Sequence, residues 1–421
     1  MTYFIKLRKN DVMNSITIEH LVKSRGERKV IKGIIQKGKI DRTSLAKLCR
    51  MSVPAVSKIV RSFLNKKMVI EIGESESSGG RRPILITINA DYRFAVGVKI
   101  GLGYIVLMLI DILGNIRGKN VIEFDHTKNP TIIIELIART IRELLQKFKV
   151  RKKLVLGVGI AVSGAIDQRK GVVKFSGILG WSNVPIRDTL EKRLKIPVIL
   201  LNDVKSFTLA QLWKGDGKKY RNFLCITIGT GIGMGVVVNG KLYTGLGSAG
   251  EFGHVVVNPK GKKCTCGKVG CLETESSFHA IIEHIKENTT SKNLKSAISS
   301  LELDEVETKE IELLKISKEK DPEVFNKAFQ KASLYLGIGI VDLVNIFNPP
   351  LIVIGGEALE FKEYFLSNIV EYVNETAFDE MGKQVSIVND SIGEDAWPLG
   401  VAYLITQKAL GEDLIPKEVV I

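Results

Sequence analysis

The stretch EFGHVVVNPKGKKCTCGKVGCLE, residues 251–273, decides how the rest of the chain is read. Three of the five cysteines, Cys264, Cys266 and Cys271, fall within eight residues, and His254 lies upstream of them. Three soft thiolates with an imidazole are the ligand set of tetrahedral Zn2+. Glycines at 261, 267 and 270 let such a loop close tightly into a knuckle. A redox pair, or thiols with no role, is the alternative. Four protein ligands leave no exchangeable position, so a zinc here is structural, and a zinc-dependent hydrolase is disfavoured.

Around this segment the chain has ordinary globular proportions. Its 421 residues are 45% hydrophobic and 25% charged, enough for two or three domains. Cys49 and Cys225 stand alone, which argues against a disulfide framework. No apolar run reaches the ~18–20 residues of a bilayer span. The first residues, MTYFIKLRKNDVMN, lack the apolar core of a signal peptide. The expectation is a cytoplasmic protein without a membrane partner. Charge is unevenly placed. Residues 1–90 hold 19 Lys and Arg against 7 Asp and Glu, so +12 of the chain's net +15 sits there. A confined basic segment points to an acidic polymer, nucleic acid above all, or else to a merely solvated surface.

The basic segment has a recognisable order of elements. Residues 17–39 carry apolar positions at helical spacing and end at Gly38. A short helix over 44–49 follows, capped by Thr43 or Ser44, with Leu45, Leu48 and Cys49 inward. Ser52 caps a second helix with Pro54 in its first turn and Val56, Ile59, Val60 and Phe63 as its buried stripe. This is a helix-turn-helix pattern whose outer face offers Ala55, Ser57, Lys58 and Arg61 to a major groove. VIEIG and ILITIN then flank ESESSGGRRP, a hairpin with Arg81 and Arg82 at its tip, and that reads as a wing.

From residue 94 the pattern becomes alternating strands and helices, an α/β architecture with covered sheets. Two glycine-bearing strand-turn units, 96–105 and 224–240, indicate two similar lobes. ITIGTGIGMGVVVNG (226–240) is a glycine hairpin whose amides can face a phosphate, or simply a tight structural turn. LIVIGGEAL (351–359) ends a buried strand in Gly355-Gly356, a turn suited to face a cleft. LLND (200–203) ends a strand in Asn202 and Asp203, as a base, a hydrogen-bond acceptor or a helix cap.

Together these residues resemble the ROK family (repressor, open reading frame, kinase), marked by Glu251-Phe252-Gly253-His254 and CTCGKVGCLE ending at Glu273. The helix-turn-helix places the chain with the family's repressors, which resemble the xylose and N-acetylglucosamine regulators. The resemblance implies an actin-like, two-lobed ATPase fold behind the winged helix-turn-helix domain. It implies structural zinc on His254, Cys264, Cys266 and Cys271, and sugar contacts from Asn202, Asp203, Glu251, His254 and Glu273. SGAID (163–167) looks like the substrate loop, with Gly164 offering backbone near the sugar. GTGIGMG resembles the second phosphate loop and VIGGE the adenosine turn.

The departures bear on activity. Where family kinases carry a DxGxT-like phosphate loop, this chain reads VGVKIGLGYI, with Lys99 for the aspartate and Gly103 for the threonine. A lysine cannot accept the hydrogen bonds or hold the Mg2+ that positions a phosphoryl group. In place of an ENDAN-like run stands LNDVK, with Leu201 and Lys205 substituted. The expected protein is therefore a sugar-responsive transcriptional repressor, not an enzyme, with ATP and Mg2+ unneeded. Its expected units are a DNA-binding domain over 1–90, a first lobe over 91–200 and a second over 201–421, the last helix returning to the first lobe. Its expected partners are double-stranded operator DNA, a small sugar effector and a second copy of itself, as a homodimer or a dimer of dimers. The alternative is an ATP-dependent sugar kinase with an attached DNA-binding domain, in which Asp203 is the catalytic base.

Overall fold

The computed structural model describes residues 17–74, 83–125, 129–302 and 308–411. At its N-terminal end three helices, Arg25–Lys37, Arg42–Cys49 and Val53–Asn65, pack on a small antiparallel sheet. The strand order in that sheet is Ile40–Asp41, Ile84–Ile88, Val69–Glu74. Val30, Ile31, Ile34, Leu45, Val56, Val60 and Phe63 close the core, each fully buried. Every such side chain contributes about 1.5–3 kcal/mol of burial.

Local chemistry moves several boundaries from those expected. The first helix begins at Arg25, because Ser24 and Glu27 form a reciprocal capping box. Apolar spacing upstream of Ser24 comes instead from Ile18, Leu21 and Val22, which are buried without being helical. The second helix starts at Arg42. Its cap is Asp41, whose carboxylate accepts from Thr43 and Ser44 N–H at 2.8 and 3.0 Å, so neither of those residues is the cap. Leu48 is 39% exposed and not inward. Ser52 does cap the third helix, accepting from Ala55 N–H, with Pro54 in the first turn.

Two five-stranded sheets follow. The first has the order Val198–Asn202, Val155–Val162, Phe94–Ile100, Tyr104–Asp111, Ile116–Glu123. The second has Ser386–Asn389, Leu351–Gly355, Phe223–Ile228, Ile232–Val238, Lys241–Tyr243. In each, the first three strands in chain order form an antiparallel meander and the last two join parallel. The inner strands are buried along their whole length, which is why they read as unbroken apolar runs. Ile116–Glu123 lies at an edge and largely alternates.

Two helices pack together between the sheets, Asp203–Trp213 and Ala396–Leu410. The second of these also lies on the strands Phe94–Ile100 and Val155–Val162. Contact is backbone-close: a β-carbon on Gly97 would sit 1.8 Å from the Pro398 carbonyl oxygen. At its other end, the Ala409 carbonyl accepts from Leu21 N–H at 2.8 Å. Ile18, Leu21 and Val22 share one hydrophobic cluster with Ala409 and Leu410. Arg93 pairs with Glu19 at 3.1 Å across the same junction. The N-terminal unit is thus docked on the closing helix rather than tethered.

Candidate functional site

The metal-ligand group assembles from a loop with little regular structure. Gly250 (φ 100°) turns the chain into a single helical turn, Phe252–His254. The loop then doubles back through short bridges, Val256 to Cys271 and Lys263 to Val269. Gly270 (φ 76°) is obligatory, since a β-carbon there would lie 1.5 Å from the Asn258 carbonyl oxygen. Closure brings the ligand atoms of His254, Cys264, Cys266 and Cys271 within 4.8 Å of one another. Cys264 Sγ is 3.6 Å from His254 Nδ1, and Cys266 Sγ is 3.6 Å from Cys271 Sγ. A tetrahedral zinc with arms of about 2.1–2.3 Å has edges of about 3.6–3.8 Å, so the donor set fits that ion. Burial and the neighbouring thiols push Cys271 up to about 12, while the Lys268 N–H pulls Cys266 down. A cation would take both as thiolates and displace protons.

Glu251, at the start of this loop, reaches a cavity of about 470 Å3. Gly164, Asn202 and Lys205 share its wall with Asp167, Arg169 and Lys174, which lie on the antiparallel strands Ala165–Asp167 and Val172–Ser176 and the turn between them. Gly164 (φ 97°) lies tight against Phe175 backbone, and its carbonyl accepts from Asn202 Nδ2 at 3.3 Å. Asn202 also caps the helix Asp203–Trp213 through Lys205 N–H. Lys205 is buried, and its ammonium donates to the Gly247 carbonyl. Burial lowers its pKa, with Glu251 opposing that shift. Of the remaining residues expected to meet a sugar, Asp203 follows Asn202 directly. His254 belongs to the thiol cluster, and Glu273 accepts from Ile232 N–H at 3.2 Å beside Gly231. Glu251 and Glu273 bracket the knuckle in sequence, but Glu273 turns toward the glycine hairpin.

A second group of charges surrounds Lys99, which the sequence flagged as a departure without pointing to its partners. Lys99 is only 6% exposed. Its ammonium lies 3.7 Å from Glu357 and 4.1 Å above the Trp397 ring, with Tyr104 at 5.2 Å. Burial opposes the lysine's charge, but Tyr104, Glu357 and Asp203 outweigh it and hold its pKa above the ordinary value. Glu357 follows Gly355-Gly356, and its carboxylate covers the glycine hairpin: a β-carbon on Gly229 would sit 2.2 Å from it. Thr230 in the same turn donates to Glu310 at 2.8 Å, and burial raises that carboxyl's pKa. Burial likewise pushes Asp203 up, opposed by the Val204 N–H and by Lys99, while Glu357 adds to the rise. The signal for Glu357 was present in VIGGE, but nothing in the sequence pairs that turn with Lys99.

On the N-terminal unit, Lys58 and Arg61 are exposed, with Ala55 and Ser57 half-buried beside them on the helix Val53–Asn65. Arg81 and Arg82 lie outside the described residues.

A winged helical domain docked on two actin-like sheets, with a Cys3His knuckle beside an inter-lobe cavity, defines the class: a ROK-type regulator fold. Residues 95–408 match the ROK family, and the chain belongs to it. It is 30% identical over 382 residues to the xylose repressor of Caldicellulosiruptor bescii, covering 90% of this chain and 95% of that one. A ROK family transcriptional regulator, described as a homolog of the E. coli MLC protein, superposes with a TM-score of 0.74 at 24% identity, covering 91% of this chain and 97% of that one. A ROK family glucokinase from Streptomyces griseus, solved with glucose and AMPPNP, gives a TM-score of 0.61 at 26% identity, covering 74% of this chain and 98% of the kinase. No helix among the described residues is long and apolar enough to cross a membrane.

Proposed function

We propose that this protein is a DNA-binding transcriptional repressor whose operator affinity responds to a sugar held in the 470 Å3 cavity. The observation that carries the reading is the ion pair of the buried Lys99 with Glu357. Lys99, which the family resemblance sets against the aspartate of the kinase phosphate loop, pairs instead with Glu357 at 3.7 Å. A nucleotide's phosphates would meet Glu357 over Gly229 and Glu310 at Thr230, two carboxylates facing an anion. Similarity over nearly the whole length to a xylose repressor supports the same assignment.

In this reading the units are 1–90 for DNA and 91–200 with 201–421 for the sugar. Gly164, Asn202 and Glu251, which line that cavity, hold sugar hydroxyls, and Asp203, His254 and Glu273 are assigned to the same sugar by the family resemblance. His254, Cys264, Cys266 and Cys271 hold structural Zn2+, fixing Glu251 and His254 at the cavity. Ala55, Ser57, Lys58 and Arg61 read a major groove, and Arg81 and Arg82 a minor groove or phosphate. Two copies pair on a palindromic operator in the cytoplasm. Sugar binding regulates by favouring one arrangement of the docked N-terminal unit over another. The test measures operator binding across a sugar panel alongside ADP release with the same sugars. Sugar-dependent operator affinity without turnover supports the proposal. The kinase alternative keeps Asp203 and the glycine hairpin in its favour, and robust turnover would establish it.

A further inference from the structure

A second basic segment lies outside the N-terminal unit and takes no part in the sugar cavity. Residues 91–421 carry only +3 of the chain's net +15, yet KFKVRKK, residues 147–153, places five cations in seven positions with no carboxylate. It links the helix Pro130–Lys147 to the strand Val155–Val162. A second helix, Ile186–Leu194, packs beside Pro130–Lys147 and leads to the strand Val198–Asn202, adding Lys192 and Lys195. Val155 pairs with Phe94 and Val158 with Val198, both in parallel register, so these three strands begin at one edge of the first sheet. Adjacent strands lie about 4.8 Å apart. The turn Lys152–Leu154 therefore emerges beside Arg93, which ties the same edge to Glu19 of the N-terminal unit. The strand Ile84–Ile88 of that unit enters the lobe there too, through Ala90–Tyr92.

Lys149, Arg151, Lys152, Lys153, Lys192 and Lys195 are all exposed. The carboxylates near them are committed elsewhere: Glu19 to Arg93, Asp91 to Arg117, Glu135 to Arg193, and the buried Glu191 to Val198 N–H. Among the described residues, no carboxylate lies within ion-pair distance of any of the six. Lys192 and Lys195 complement the carbonyl end of their own helix. Arg151, Lys152 and Lys153 stand beyond the end of Pro130–Lys147 and have no such task. A protein partner would need apolar anchors at the centre of its footprint. The large apolar side chain here, Phe148, instead packs on Gly118. Unpaired cations crowded on one edge suit a polyanion, and the docked N-terminal unit brings one to this edge.

We propose that this edge of the first lobe is a second DNA contact, in which the six cations take phosphates of the duplex flanking the operator, whatever its base sequence. The proposal rests on the repressor reading above and adds where the lobe itself meets DNA. Phosphate contacts of this kind supply affinity and salt dependence but no sequence discrimination.

The experiment measures binding by anisotropy for the full chain on two duplexes, at several salt concentrations. One carries the operator from its own control region alone; the other extends it on each side by about 10 bp, one helical turn, of scrambled sequence. Wild type should bind the extended duplex about tenfold more tightly, with a salt slope steeper by roughly two to three, near 0.9 per phosphate. R151Q/K152Q/K153Q should lose that gain and that steepness, yet bind the operator alone as wild type does. R151K/K152R/K153R, which keeps the charge, should restore both. Lys192→Gln with Lys195→Gln, on a separate element, should remove part of the same gain, which keeps the test decisive if the first variant misfolds. Loosening of the fold would weaken both duplexes alike and lower the melting temperature. Equal weakening on both duplexes, or a wild type indifferent to the flanks, overturns the second contact. A wild-type chain that binds neither duplex overturns the repressor reading as well.

Discussion

The two five-stranded sheets share one strand order, yet their first turns have diverged in opposite ways. In the second sheet the turn between Phe223–Ile228 and Ile232–Val238 keeps Gly229, Thr230 and Gly231. Glycine is retained there because Glu357 and Glu273 pack directly on it. In the first sheet the turn between Phe94–Ile100 and Tyr104–Asp111 follows Lys99, and its Gly101 is covered by the Tyr104 ring. Equivalent backbone therefore carries a glycine turn covered by two carboxylates in one lobe and a turn covered by the Tyr104 ring, next to a buried cation, in the other. Scaffold alone does not set function: in the repressor reading proposed above, the Lys99–Glu357 pair stands in place of nucleotide contacts.

That comparison can be broken most forcefully at the knuckle, which among the described residues only the second lobe has. Cys271→Ser should abolish zinc retention, read by metal analysis, and lower the melting temperature by more than 10 °C, a structural zinc being worth about 10 kcal/mol. Sugar response should vanish while operator binding persists. If sugar response survives, the knuckle does not position Glu251. Zinc should also leave as pH falls, because thiolates and imidazole must stay deprotonated to ligate.

Next in size is the junction between the lobes. Gly97→Ala drives a methyl group into the Pro398 carbonyl and should destabilise by about 3 kcal/mol, read by denaturant midpoint. Lys58→Ala with Arg61→Ala should weaken operator binding by about 1–3 kcal/mol and flatten its salt dependence, measured by anisotropy at two salt concentrations. Unchanged affinity would remove that helix face from the DNA contact. Smallest is Ser24→Ala, which opens the capping box and should cost about 1 kcal/mol in the N-terminal unit.

Much of this was legible from residue spacing. The Cys3His set, the helix-turn-helix with its Ser52 cap, and the buried strands all announce themselves locally. So did the doubling, through the glycine turns at 96–105 and 224–240. Finer boundaries yielded to side chains that compete for the same amides: Asp41 outcompetes Thr43 and Ser44 because its carboxylate reaches two N–H groups at once. Leu48 fits the helical period yet stays exposed, since periodicity marks a face and not what covers it. The Lys99–Glu357 pair was beyond reach, joining a strand of one sheet to the turn that follows a strand of the other, which only the tertiary fold brings together. Docking of Leu21 on Ala409 was hidden for the same reason.

The most direct test of the central claim is operator binding by the full chain, measured by anisotropy on DNA from its own control region, with sugar, with ATP and with both. A sugar in the panel should change the operator dissociation constant at least fivefold, the usual size of an allosteric coupling, and ATP should change nothing, alone or with sugar. Operator affinity indifferent to every sugar, accompanied by ADP release from ATP, would contradict the account.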